Sequence, residues 1–347
     1  MRPRLQIRQI VNGLKTTSQM SRINHLGLKP ILQITIGLFF IFILFSSSVA
    51  GLDPMADKYI LIKKWGSEGS GNGQFQRIHD LDFDPSGRML YVVDRDGNRI
   101  QVFDKNGTFV TKWGKEGSGN GEFRVPYSVD VDSKGNVWVA DRNNNRVQKF
   151  DKDGNFLLKF GSEGSGNGEF NLPRQVAVDT NVQYVYVVDS ENNRVQVFDT
   201  SGKYLKQWGG KGRTDGKFEL PISITMDNSG NLIVNDRGTG RVQKFDPNGN
   251  FILKFGNIGK GPEDFGIAEH MAVDRFNNIY VNNAGPEGSI HSQAKVMKFS
   301  PTGKFITKWG DDGKFKDPEH IAIDLQGNVY VSDRANNNIQ VFKPANA

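Results

Sequence analysis

The sequence predicts an all-β fold: a six-bladed β-propeller of four-stranded antiparallel blades, closed by an N-terminal strand that completes the last blade. Three observations carry this expectation. An aromatic–glycine pair recurs at Trp65-Gly66, Trp113-Gly114, Phe160-Gly161, Trp208-Gly209, Phe255-Gly256 and Trp309-Gly310, in steps of 48, 47, 48, 47 and 54 residues. Each step holds four short β-like runs, and a period near 48 suits a unit that is buried only by its neighbours. The chain ends after three runs of the sixth unit, and the first run, Tyr59 to Trp65, resembles every fourth run. That run therefore supplies the missing strand, which hides two sheet edges.

A basic leader comes first. Residues 1–50 contain six basic residues and no acid, so the net charge of +6 belongs to them; the other 38 basic residues balance the 38 acidic ones. A neutral repeat region argues against a nucleic-acid partner, whose phosphates demand clustered positive charge. The uncharged apolar stretch at about 31–50, ending in Ser48-Val49-Ala50, reads as a signal peptide or as a signal-anchor transmembrane helix. Met20 as the start instead of Met1 gives a leader of more ordinary length. Either form sends the repeats out of the cytoplasm, secreted or held to the membrane by one helix. The absence of cysteine excludes disulfides, thiolate metal sites, RING modules and cysteine nucleophiles.

The repeat domain spans 58–343, and its second unit shows the pattern. Ser128–Asp132 and Val137–Asp141 alternate with period two, and so do Arg146–Asp151 and Phe156–Phe160. Gly- and Asn-rich connections supply the positive φ of tight hairpins. The runs DRNNNRVQKFD (141–151) and DSENNRVQVFD (189–199), with PRQVAVD (173–179) and PEHIAID (318–324), resemble the NHL repeat. The resemblance implies a six-bladed NHL propeller. The wider family includes binding modules, receptor sensor domains and a peptide-amidating lyase, among which fold does not choose.

Antiparallel order places the glycine-rich loops and the Arg-Asn loops at one end of the ring, the loop face. Aligned first strands give an inner ring of Asp80, Ser128, Gln175, Ser223, His270 and His320, preceded by His79, Tyr127, Arg174, Ile222, Glu269 and Glu319. A blade-5 insertion carries His291 to the same face. His79, His270 and His320 are candidate metal ligands, because converging histidines and carboxylates are what zinc requires. The amidating-lyase resemblance implies zinc held by histidines from several blades. Strict alternation turns His270 and His320 away from the side that His79 faces. Arg95, Arg142, Arg237 and Arg334 follow the second-strand Asp and either ring an anion or each pair with that Asp.

The glycine-rich loops GSEGSGNG precede strands and lack the Lys-Ser/Thr ending, so they are no phosphate loop. Asp94-x-Asp96-x-Asn98 lacks the later positions of a calcium loop and reads as turn chemistry. The expected function is an extracytoplasmic scaffold that binds a protein, peptide or glycan through its loop face, with Asp80, Tyr127, Arg174 and His291 as ligand-contacting residues. The alternative is a metal-dependent lyase or hydrolase at the channel mouth, using a divalent metal such as zinc or calcium. Glu269 or Glu319 is then its general base and Arg174 its electrostatic stabiliser.

Overall fold

The structure is a computed structural model that describes residues 58–259, 261, 263–284, 294–310 and 314–345. The leader with its apolar stretch, and His291, lie outside the described residues. Among the described residues no helix is long and apolar enough to cross a membrane. Six four-stranded antiparallel sheets follow one another around the ring. Their inner strands are Ile78–Phe83, Pro126–Val131, Pro173–Val178, Pro221–Met226, Ala268–Val273 and Pro318–Ile323. The strand Tyr59–Trp65 pairs antiparallel with the last strand, Asn338–Pro344, and so completes the sixth blade. The first and last described strands thus close the ring, and no blade is left one strand short.

Local chemistry explains the hairpins. Asp151 Oδ1 accepts from the backbone N–H of Asp153 and Asn155, each at 2.9 Å. Asp132, Asp227, Asp246 and Asp324 cap their own turns in the same way. These aspartates do the work of Asx turns, not of calcium loops. Six phenylalanines, one after each glycine-rich loop, are fully or almost fully buried between blades: Phe75, Phe123, Phe170, Phe218, Phe265 and Phe315. Each contributes roughly 1.5–3 kcal/mol by leaving water. Gly161 shows why glycine precedes the loop: its φ is +100°, and a Cβ there would sit 2.5 Å from the Phe170 ring.

The glycine-rich loop has a second task. Arg146 Nε donates to Asp141 Oδ2 at 2.7 Å, and its other nitrogens reach the carbonyls of Ser118, Gly119 and Glu122 in the loop. Arg99, Arg194 and Arg241 pair with Asp94, Asp189 and Asp236 and hold the loops of their own blades likewise. All four guanidiniums are buried. The loop wraps a buried cation, which is why its sequence repeats so closely. The expectation that Arg95, Arg142, Arg237 and Arg334 pair with the second-strand Asp is therefore corrected. The residue five positions after that Asp, facing it across the second hairpin, takes the role.

Candidate functional site: the channel mouth on the loop face

Every inner strand begins with a β-bulge, and the bulge builds the site. In blade 6 the register jumps between Pro318 and His320, leaving Glu319 as the extra residue. Blades 1 and 5 skip in the same way, between Ile78 and Leu81 and between Ala268 and Met271. A bulge breaks the alternation of side chains and re-aims them. Two consecutive residues per blade, His79 with Asp80, Glu269 with His270 and Glu319 with His320, therefore line one mouth. The expectation that His270 and His320 turn away, drawn from strict alternation, is corrected on this ground. The bulge of blade 6 is held by Ser332, whose Oγ accepts from His320 N at 2.9 Å and donates to the His79 carbonyl at 2.8 Å. Asn235 of blade 4 does similar work for the blade-5 bulge, donating to the carbonyls of Ala268 and Glu269.

The mouth is a buried polar array. His79 Nε2 lies 2.9 Å from Glu319 Oε1, and Arg334 Nη1 lies 2.7 Å from Glu319 Oε2. Burial raises the Glu319 carboxyl, but the His79 imidazole and the Arg334 guanidinium outweigh it and bring it down to about 2. Arg334 in turn donates to Asp317 at 2.7 Å. Glu269 has a looser partner, Arg237 at 3.7 Å, and burial with the nearby Glu319 charge pushes it up to about 8. His320 Nε2 sits 2.5 Å from Asp80 Oδ1, off the angle of a hydrogen bond. Burial raises Asp80 and lowers His320, so both favour their neutral forms.

Gln175 fixes the protonation of His270. Its Oε1 accepts from the backbone N–H of Ile224, so its Nε2 is the end that meets His270 Nε2, at 2.5 Å. An amide N–H donates there, which makes Nε2 the lone-pair nitrogen of a neutral imidazole. Burial and the adjoining His320 ring, with centroids 3.1 Å apart, hold His270 well below the usual histidine range.

The other side of the mouth is basic. The guanidinium carbons of Arg142, Arg95 and Arg174 lie 5.1, 5.3 and 5.4 Å from the Tyr127 ring centroid. Tyr127 also touches the His79 ring, with centroids 3.9 Å apart. Arg95 has an exposed carboxylate, Asp96, at 3.6 Å. Among the described residues no carboxylate comes within ion-pair distance of Arg142 or Arg174. Burial, then the charges of Arg174 and Arg95, lowers Arg142 despite the opposing Tyr127. Three guanidiniums thus surround one phenol, with the Glu319, Glu269 and Glu191 carboxylates close enough to act on Arg95, Arg174 and Arg142 respectively.

The structure therefore brings Asp80, Tyr127, Arg174, His79, His270, His320, Glu269 and Glu319 to one place. It does not make them a metal centre. Among the described residues no group of three or more histidines and acids is arranged to hold a metal ion. His79 faces Glu319, His320 faces Asp80 and His270 faces Gln175, while the His270 and His320 rings stack on each other. The zinc or calcium expectation finds no fit in the described residues. Sequence reasoning missed Arg99, Arg146, Arg194 and Arg241 as loop anchors, and it missed Asp82 and Asp130 one step deeper in the channel. Both were visible: the arginines recur at one offset, and the aspartates lie two residues beyond Asp80 and Ser128.

A closed ring of six four-stranded blades with a polar channel mouth defines the class, and comparison with known proteins agrees. The family described as "6-bladed beta-propeller" matches residues 74–138, 132–209 and 213–309, and the chain belongs to it. Among curated proteins, Caenorhabditis elegans Protein lin-41 is 44% identical over 50 residues, which is 14% of this chain and 4% of that protein. Mus musculus peptidyl-glycine alpha-amidating monooxygenase is 37% identical over 62 residues, 15% of this chain and 6% of that protein. The chain thus matches only small segments of these relatives. A Bacteroides thetaiotaomicron protein of unknown function aligns with TM-score 0.61 at 17% identity, covering 82% of this chain and 75% of that one. Virginiamycin B lyase from Staphylococcus aureus aligns with TM-score 0.57 at 13% identity, covering 82% and 85%. At these identities the likeness is one of fold.

Proposed function

We propose that this propeller is an extracytoplasmic binding scaffold whose channel mouth takes a carboxylate of an acidic peptide segment. The carrying observation is the cradle of Arg95, Arg142 and Arg174 around Tyr127, two of its arginines without a carboxylate partner. Guanidinium binds carboxylate in a planar, two-pronged way that Lys does not match. The recess between the inner-strand residues has a volume of only about 20 Å³, so it admits one small group and leaves the rest of a ligand on the loop face. The basic, apolar leader supports a location outside the cytoplasm. Titration calorimetry with an Asp/Glu-rich peptide, its fully amidated counterpart and a uronic-acid oligosaccharide tests the reading. The acidic peptide is expected to bind, with affinity falling as salt rises. Equal binding of the amidated peptide sinks the reading, and preference for the oligosaccharide reassigns the ligand to acidic glycan.

One observation favours a second reading, an acid–base lyase: the buried His79–Glu319 pair braced by Arg334. A positioned imidazole with a carboxylate behind it is the arrangement of a general base. Turnover of quinupristin or of a peptidyl α-hydroxyglycine, lost in His79→Ala, is the outcome that reading requires. No turnover of either by the intact chain leaves the scaffold as the function.

A further inference from the structure

Blade 6 breaks the pattern of the ring on its outer edge. Its outermost strand, Tyr59–Trp65, exposes five consecutive side chains, residues 60–64. The outermost strands of blades 1, 2 and 4, Phe109–Trp113, Phe156–Phe160 and Phe251–Phe255, alternate exposed and half-buried positions. The pairing of Tyr59–Trp65 with Asn338–Pro344 skips between Leu61 and Lys63, so Ile62 is the extra residue of a bulge. Ile60, Leu61 and Ile62 are all exposed as a result.

The turns at the end of the ring opposite the mouth show a second break. At the tip of the first hairpin, blades 1 to 4 carry Pro85-Ser86, Ser133-Lys134, Thr180-Asn181 and Asn228-Ser229. Blade 5 places Phe276 there and blade 6 places Leu325, 65% and 63% exposed. A groove of about 470 Å³ runs between them, lined by Tyr59, Val273, Tyr280 and Ile323 as well as by these two residues. Tyr59 thus joins the groove to Ile60. The Tyr59 and Tyr280 hydroxyls meet at 2.8 Å, and Lys298 Nζ lies 5.9 and 5.3 Å from their ring centroids. The two acids of the groove serve its turns. Asp274 Oδ1 accepts from Phe276 N and Asn278 N, and Asp324 Oδ1 accepts from Gln326 N and Asn328 N. Lys58, Lys63, Lys64 and Arg275 flank the apolar surface and are exposed.

The chain also enters the propeller here. Tyr59 pairs with Pro344, the far end of a strand that starts on the loop face, so residue 58 lies at the opposite end. Residues 51–57 join it to the uncharged apolar stretch at about 31–50. Seven residues reach at most about 25 Å even when fully extended.

We infer that this sector, blades 5 and 6 at the end opposite the mouth, rests on a lipid bilayer. Ile60, Leu61, Ile62, Phe276 and Leu325 enter the headgroup layer, and the flanking Lys and Arg side chains meet lipid phosphate. Membrane-surface proteins combine these parts: aliphatic and Phe side chains that enter, Tyr at headgroup level, and cations over anionic lipid. Apolar side chains gathered on one face mark a contact surface, whereas singly scattered ones do not. A soluble partner gives no reason for the patch to adjoin the entry from an apolar leader. The docked propeller turns its mouth away from the bilayer, and this holds whether or not the mouth binds a peptide.

The chain has no cysteine, so single spin labels can be placed cleanly. The full chain is inserted in nanodiscs of phosphatidylcholine and phosphatidylglycerol, with one label at Gln326→Cys, Leu157→Cys or Asn120→Cys. All three positions are exposed: Gln326 beside Leu325, Leu157 on the outer edge of blade 2, Asn120 on the loop face. Each label is read by its collisions with oxygen, which enters lipid, and with nickel–EDDA, which stays in water. The oxygen-to-nickel ratio at Gln326 is expected to exceed the other two at least ~5-fold, as for a site about 5–10 Å into the headgroup boundary. Adding Phe276→Ser and Leu325→Ser should lower the docked-to-free ratio at least ~100-fold, as returning two large apolar side chains to water requires. The Gln326 label then reads as Leu157 does. The inference is overturned if Gln326 reads no higher than Leu157 and Asn120, or if the double Ser variant reads as the parent. Shielding of Gln326 from both reagents, with label-to-label distances that show a second copy, overturns it too.

Discussion

Arg142 and Arg146 stand four residues apart in one blade and do opposite work. Arg146 is buried against Asp141 and wrapped by the carbonyls of a glycine-rich loop. Arg142 lies over Tyr127 with no carboxylate partner among the described residues. Both types recur around the ring, so recurrence alone does not separate structure from function. What separates them is the partner. The structural arginine meets the equivalent Asp and carbonyls of the equivalent loop in blades 1 to 4, with Arg194 giving one nitrogen to Gln207 instead. The mouth arginines share no such rule: Arg95 and Arg142 lie over Tyr127, Arg237 meets Glu269 and Arg334 meets Glu319.

That contrast breaks most readily at the buried pair. Arg146→Ala leaves the buried Asp141 without its cation and removes the donor to the Ser118 carbonyl, so it is expected to destabilise the fold by about 3–5 kcal/mol. Arg142→Ala removes a half-buried charge that its arginine neighbours repel, and stability should stay within about 0.5 kcal/mol of the parent. Denaturant unfolding of the two variants checks this; equal losses would erase the distinction.

The carboxylates of the mouth and of the channel below it sharpen it further, because they respond to pH with opposite sign. Glu319 is lowered on folding, so the stability it contributes is present above pH 4.5 and is lost as pH falls toward 2. Glu319→Gln should flatten that acid limb, by roughly 1–3 kcal/mol. Asp82 is raised to about 7, so the folded state is favoured below pH 3.8 and loses stability as pH climbs through 7. Asp82→Asn should therefore raise the melting temperature at pH 8 and leave it nearly unchanged at pH 4. Its gain is of order 2–4 kcal/mol, at least as large as the Glu319 effect, because the Asp82 shift is the larger of the two. Melting curves from pH 3 to pH 8 read both effects, and parallel profiles for the two variants would contradict the assignment.

The fold was legible because its signals are periodic. The aromatic–glycine pairs, the Asn–Gly turns and the fourth-strand look of Tyr59–Trp65 each repeat a local rule that the blade needs. The inner rings of the mouth were legible too, since aligning first strands on their last Asp placed His79, His270 and His320 together. The direction of those side chains was not. A bulge adds one residue to a strand without a sequence signal as plain as a turn, and alternation then misleads. The pairing of Arg99, Arg146, Arg194 and Arg241 was hidden for a related reason. Cross-strand register, not nearness in sequence, decides which arginine faces Asp141.

The mouth arginines are expected to serve a ligand and not the fold. The double variant Arg142→Ala, Arg174→Ala tests it, with calorimetric titration of the acidic peptide beside a melting curve. The account predicts a melting temperature within a few kelvin of the parent and binding at least ~30-fold weaker, the loss of two charge-assisted contacts. Unchanged affinity in a well-folded variant, or a variant that no longer folds, would contradict it.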